Sequence, residues 1–214
     1  MVNSADHSQI LYQAYEQFLL PVFNKKVPMP YRINIPPDEH PAKQGKSAPE
    51  VILKQLQEDA RNQNFDLQKA SMEETREFMR KNQLGIDCSG FAYRILDFLV
   101  QKIKGKSLED FGFPHVGITN VNILTSDEFS VPIDNFTNAQ PGDLIRLDSK
   151  AVDGIPHCLV ILDSIITYAH SSRQTNPDGV HTAQIKDEKF PDDLKMFRFK
   201  KEEGDGIRRL KILQ

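Results

Sequence analysis

Only two cysteines, Cys88 and Cys158, occur in the 214 residues, too few for a disulfide framework and too few for a four-ligand zinc site without help from histidine or carboxylate. Long apolar runs are missing as well. The longest clean stretch, Cys158 to Leu162, has the length of a buried strand and falls far short of the roughly 18 residues a spanning helix needs. Charge bias is slight: a formal net charge of -3 with both signs spread along the chain indicates neither a nucleic-acid face nor an anionic-membrane patch. The opening residues Met1 to His7 hold no basic n-region, and the apolar stretch from Ile10 is interrupted by Gln13, Glu16 and Gln17, unlike a signal peptide. Nothing in this stretch directs export, and the compartment is not legible from it.

What is present is the composition of an ordinary globular domain, 39% apolar and 27% charged, long enough to bury a sizeable core. Ile10, Leu11, Tyr15, Phe18 and Leu19 recur at helical spacing within Ser4 to Leu20, and Pro21 closes that helix. Val27 to Pro49 is dense in proline, so missing amide donors and restricted φ angles predict an extended arm. Ser47-Ala48-Pro49-Glu50 and Ser71-Met72-Glu73-Glu74 both have capping-box spacing, predicting helices to about Asn62 and Lys81. A fourth helix begins at Asp87, and from Val116 onward short β-type runs alternate with Pro and Gly. The class is α+β, helices first and sheet second, with residues 1–80 forming N-terminal helices and arm and residues 81–214 the second unit. A last hairpin is expected from Lys195 to Lys200 and Ile207 to Ile212 around Glu202-Glu203-Gly204-Asp205-Gly206.

Chemistry concentrates at two places. In Gly85-Ile86-Asp87-Cys88-Ser89-Gly90-Phe91, the cysteine falls at a helix N-terminus with Asp87 as N-cap. Free amides and the helix dipole there stabilise an anion, which favours a reactive thiolate. A lone buried cysteine is more often core filling, so a partner base decides the matter. Ile155 to Leu162, then Asp163-Ser164, then Ile165 to His170, has the pattern of a hairpin turning at Asp163-Ser164. Such a turn sets His157 directly opposite His170 on one sheet face. His170 then orients His157, the base that takes the proton of Cys88. Strand alternation sends Cys158 to the other face, away from Cys88, as a core residue and not a disulfide partner.

Asp87-Cys88-Ser89-Gly90-Phe91, then Gln140-Pro141-Gly142-Asp143-Leu144-Ile145, the His157 strand and Tyr168-Ala169-His170-Ser171-Ser172 together resemble the NlpC family of papain-like cysteine peptidases, which cut cell-wall peptides. The resemblance runs from Leu84 to Ile185, about half of the chain. It implies a papain-like fold, a central antiparallel sheet with the nucleophile helix packed on it and an N-terminal helical extension. It also implies Cys88 as nucleophile, His157 as base, His170 as orienting residue, and Asp87 and Ser89 shaping the helix start and the oxyanion site. Pro114-His115-Val116-Gly117-Ile118 looks like the family's histidine strand but precedes the Pro-Gly-Asp-Leu segment, so His115 is set aside. The family's tyrosine and paired glycines before the cysteine are absent from Phe78 to Gly85, and the chain has no tryptophan of the kind found near related amidase sites.

The expected activity is hydrolysis of a peptide or isopeptide bond, in peptidoglycan-type peptides, through a thioester and without metal or organic cofactor. The alternative is a silent peptide-binding module on the same fold. The expected partner is a peptide such as a cell-wall stem peptide, with no nucleic acid and no membrane span. His7 and His40 are expected to be solvated, His181 to sit on a strand edge, and Arg173 to be a surface charge with the reach to bind a substrate carboxylate.

Overall fold

The computed structural model describes residues 4–33, 39–152, 154–164, 167–175, 177–184 and 200–214. Helix α1 spans Ser4–Glu16 and buries Leu11 and Ala14 against the later helix α4. It stops short of its expected end. Leu19 and Leu20 belong instead to strand β1, Leu19–Val22, which forms a hairpin with β2, Lys25–Pro28. Helix propensity yields here to burial, because Leu20, Val22 and Val27 all close over the core. Pro21 is tolerated because a two-stranded ribbon consists only of edges.

Helix α2, Pro49–Asn62, starts as expected with proline in its first turn. Its N-cap is Ala48 with no side-chain bond. Ser47 is drawn away from the capping role because its hydroxyl donates to the Pro41 carbonyl. Helix α3, Met72–Lys81, carries the full reciprocal capping box between Ser71 and Glu74. Helix α4, Cys88–Lys104, is capped by Asp87 and ends at Gly105 in the left-handed region. A single turn, α5, covers Val121–Leu124.

Six strands form one antiparallel sheet in the order β3-β8-β4-β5-β6-β7. They are β3 Ser130–Ile133, β4 Leu144–Val152, β5 Ile155–Ile161, β6 Thr167–Ser172, β7 Gly179–Gln184 and β8 Gly206–Leu210. One face, with Cys158, Val160, Leu162 and Ala169, joins the main core with α4; the other groups Ile145, Leu147, Leu159, Ile161 and Tyr168. The main cluster runs from Leu11 through α4 to Leu210, so the N-terminal helices share it with the sheet. Mixed α+β architecture with an antiparallel sheet is thus what this sequence folds into.

Two expectations about strands are corrected. The β5–β6 connection is longer than two residues: Val160 faces Ala169 and Ile161 faces Tyr168, two positions out of the expected register. A tight turn needs positive φ at its centre, and Asp163-Ser164 holds no glycine; instead Asp163 accepts a bond from the Thr167 amide (2.9 Å) and Leu162 N–H donates to Thr167 O (2.7 Å). The shift of two preserves which face each side chain takes. At the C-terminus, Ile207 to Leu210 lie in β8, which pairs with β3 and β4. The proposed partner strand falls mostly on residues 195–199, outside the described residues.

The proline-dense segment is an arm packed on the domain. Tyr31 bridges Ile86 in parallel, with Ile86 N–H donating to Pro30 O (3.1 Å) and Arg32 N–H to Ile86 O (3.2 Å). Arg76, fully buried in α3, donates to Pro28 O (2.6 Å) and to Asp178, tying the arm to the approach to β7. Arg76→Ala leaves the Pro28 and Asp178 carbonyls without their buried donor, while the Asp178 carboxylate keeps Arg80 (2.6 Å). It is expected to lower unfolding free energy by about 3 kcal/mol in urea titration.

Candidate active site

Cys88 is the first residue of α4, placed there because Asp87 adopts an extended conformation and accepts from the Gly90 amide (2.6 Å). The same carboxylate oxygen accepts from Lys46 Nζ (2.9 Å) and from Ser89 Oγ (3.2 Å), and Lys46 also donates to Ser89 Oγ. Gly90 serves close approach: a Cβ there would stand 2.6 Å from Gly45 O, so glycine is needed for the arm to lie across the helix start. Asp87 N–H donates to Gly45 O (2.9 Å), and Ser171 Oγ from β6 donates to Ile86 O (2.7 Å). The first turn is therefore clamped between arm and sheet.

Among the described residues, ladder pairing between β5 and β6 is confined to the 160–169 and 161–168 pairs. Toward His157, Cys88 of α4 meets residues from both faces of β5. From one face His157 shares the cleft with the Cys88 thiol and acts to lower its pKa. From the other Cys158, fully buried, sets its Sγ 3.5 Å from Cys88 O. The expectation that Cys158 lies away from Cys88 is thus corrected: it does face opposite to His157, but the helix start lies on that side. Both cysteines are free thiols.

His157 Nε2 stands 2.7 Å from His170 Nδ1, and His170 Nε2 stands 2.8 Å from His181 Nε2. The expected histidine pair is present, reached diagonally across the shifted register, and it continues into a third histidine. His181 faces His170 directly across β6–β7 and approaches Gly179 O with Nδ1 at 3.1 Å. A carbonyl only accepts, so His181 carries its proton on Nδ1 and, when neutral, accepts at Nε2. His170 is buried completely, and burial first, then the flanking His181 and His157, pushes its pKa well below the ordinary value. Neutral His170 therefore donates from Nε2 and accepts at Nδ1, and His157 donates from Nε2. His157, when neutral, then has its lone pair on Nδ1.

Electrostatics favour the thiolate. The Cys88 pKa is lowered well below the ordinary thiol value, by the bond from the Cys158 thiol first, then by the charge and hydrogen bond of His157 and by Lys46, against the opposing effect of burial. Cys158, next to Cys88 and desolvated, is pushed the other way and remains the thiol. Burial raises the Asp87 pKa, with Lys46 opposing. Tyr31, from the arm, is held protonated by burial and by the charges of Cys88 and Asp87, which leaves its hydroxyl a donor in the lining of the cleft.

These groups open into a cleft of about 780 Å³ between the arm, the 117–120 segment and the β4–β5 end. Lys150 and Arg173 line it, as do the exposed Ile118 and Ile155. A hollow of similar size between the β1–β2 hairpin and α2 lies around Phe23, Leu53 and Phe65, remote from the thiol. Sequence reasoning missed His181, Tyr31 and Lys46. His181 was placed on a strand edge, and β7 is indeed the edge strand, but its pairing with His170 needed the register. His115 caps a 3-10 turn, Val116–Ile118, accepting from Gly117 N–H at 3.1 Å, and belongs to no strand. His40 is exposed and His7 half-buried. No family model, curated protein or solved structure matches the chain.

Iodoacetamide is expected to label Cys88 at pH 6.5 at least about ten times faster than an unperturbed thiol, which is only about 1% ionised there. His157→Ala should remove most of that advantage, with Cys88→Ala reporting any labelling of Cys158. A second measurement concerns stability. The folded state keeps His170 neutral, so below the ordinary value of 6.5 the unfolded chain binds the proton first. Stability should fall with pH there, with a slope of up to about 1.4 kcal/mol per pH unit. His170→Asn should flatten that slope in thermal melts between about pH 5 and pH 7.

Proposed function

We propose that this chain is a cysteine hydrolase, a peptidase or amidase of papain-like, NlpC type, that cleaves a peptide or isopeptide bond. The observation that carries the reading is the Cys88 thiol at a helix N-terminus, sharing its cleft with an imidazole that is itself oriented by a second. In the reaction so read, the Cys88 thiolate attacks the carbonyl carbon, forming the C–S bond and a tetrahedral oxyanion. The Cys88 amide, in a first turn where no intrahelical acceptor exists, and the Tyr31 hydroxyl supply donors for that oxyanion. Asp87 and Ser89 contribute indirectly, fixing the helix start with Lys46. His157 gives its Nδ1 proton to the leaving amine as the C–N bond breaks, leaving a thioester. It then takes a proton from water, whose oxygen attacks the thioester; the C–S bond breaks and the acid departs.

The cleft's lysine, arginine and exposed isoleucines suit a peptide bearing both a carboxylate and an apolar side chain. Cell-wall stem peptides are the first substrates to try. A silent binding module is the less economical reading, since holding a peptide needs neither a lowered thiol pKa nor an oriented base.

Stem peptides and isopeptides should be incubated with the protein in the presence of hydroxylamine, which intercepts a thioester as a hydroxamate. Cys88-dependent hydroxamate is expected, with Tyr31→Phe lowering its rate by about a hundredfold. Saturable peptide binding in calorimetry without turnover of any bound peptide would favour the binding module.

A further inference from the structure

No bond made or broken in hydrolysis involves a second sulfur, yet the only other cysteine of the chain lies against the first. Cys88 lines the cleft and is reached from solvent; Cys158 is sealed in the core on β5, beneath the start of α4. The Cys158 thiol donates to the backbone carbonyl of Cys88 at 3.5 Å, which sets its sulfur beside residue 88. A cleft-facing nucleophilic thiol with a protected thiol in contact is the arrangement that lets a first oxidation be resolved internally.

We propose that Cys158 is the resolving thiol of Cys88, and that a hydroperoxide converts the pair into a reversible disulfide that silences the site and shields it from irreversible oxidation. The proposal rests on the reactive Cys88 of the reading above, though not on any particular substrate. In the first step the Cys88 thiolate attacks the peroxide; the S–O bond forms, the O–O bond breaks, and the peroxide is reduced to water or an alcohol. Cys88 is then a sulfenic acid. In the second step the Cys158 sulfur attacks that of Cys88, the S–S bond forms and the S–O bond breaks. The hydroxide that leaves takes the Cys158 proton as water. A dithiol reductant returns both thiols. The Cys158 sulfur is already 3.5 Å from the Cys88 carbonyl oxygen, so a turn of the Cys88 side chain about its Cα–Cβ bond is the movement that brings the two sulfurs together. With Cys88 tied to β5, the nucleophile is lost and His157 has no thiol to deprotonate.

The full chain is treated with hydrogen peroxide, remaining thiols are alkylated, and intact mass and peptide maps are recorded. Expected are a loss of about 2 Da, a linked Cys88–Cys158 peptide, and full return with dithiothreitol. Cys158→Ser keeps a hydroxyl donor for Cys88 and removes the resolving sulfur. Its Cys88 should pass to sulfinic and sulfonic acid, gaining about 32 and 48 Da, beyond rescue by dithiothreitol. If this variant does not fold, the linked peptide in the wild-type chain decides by itself. A wild-type protein that over-oxidises with no linked peptide overturns the proposal. Iodoacetamide labelling without peroxide separates the failures: rapid labelling of Cys88 with no disulfide removes the resolving role alone, whereas an unreactive Cys88 removes the hydrolase reading with it.

Discussion

Everything at the cleft depends on the clamped first turn of α4. Ile86 and Asp87 exchange backbone bonds with Pro30, Arg32 and Gly45 on one side, and Ser171 holds the Ile86 carbonyl from the sheet on the other. A helix terminus held this way loses little freedom when a charge forms on its first residue, so its unsatisfied amides act as fixed dipoles. The arm bearing three of these four bonds is itself anchored by the buried Arg76. Stability of the arm and reactivity of Cys88 are therefore linked through backbone geometry.

The histidine row adds direction to this placement. Its three rings are joined by two short contacts and end on the Gly179 carbonyl. Gly179 has φ +100°, and a Cβ there would lie 2.1 Å from Met29 O; the glycine is required where the arm crosses β7. That same residue supplies the acceptor that sets the polarity of the whole row. A buried carboxylate behind His157 would add a charge to be desolvated, whereas a neutral His170 orients the base without one.

Local patterns made much of this legible. The capping box at Ser71 and the Asp87 cap are determined within four residues of chain, and both helices begin where the sequence places them. The parity of the β5–β6 pairing was also legible: the turn is longer than expected, yet an even shift leaves His157 and His170 on one face. Ser47 lost its capping role, and Leu19 and Leu20 left their helix, because distant segments offered a better hydrogen bond or a buried place.

By itself, then, the sequence determined the α+β class, the helix that begins at Cys88, and the side of the strand on which each histidine stands, since caps and periods of 3.6 and 2 act over a few residues. Only the tertiary structure decided that the start of α4 sets the Cys88 carbonyl on the Cys158 thiol, that His181 completes the histidine row, and that Tyr31 and Lys46 of the arm line the cleft with Cys88. Those relations join residues about 40 to 85 positions apart, or strands whose register a turn sets, and no local period encodes them.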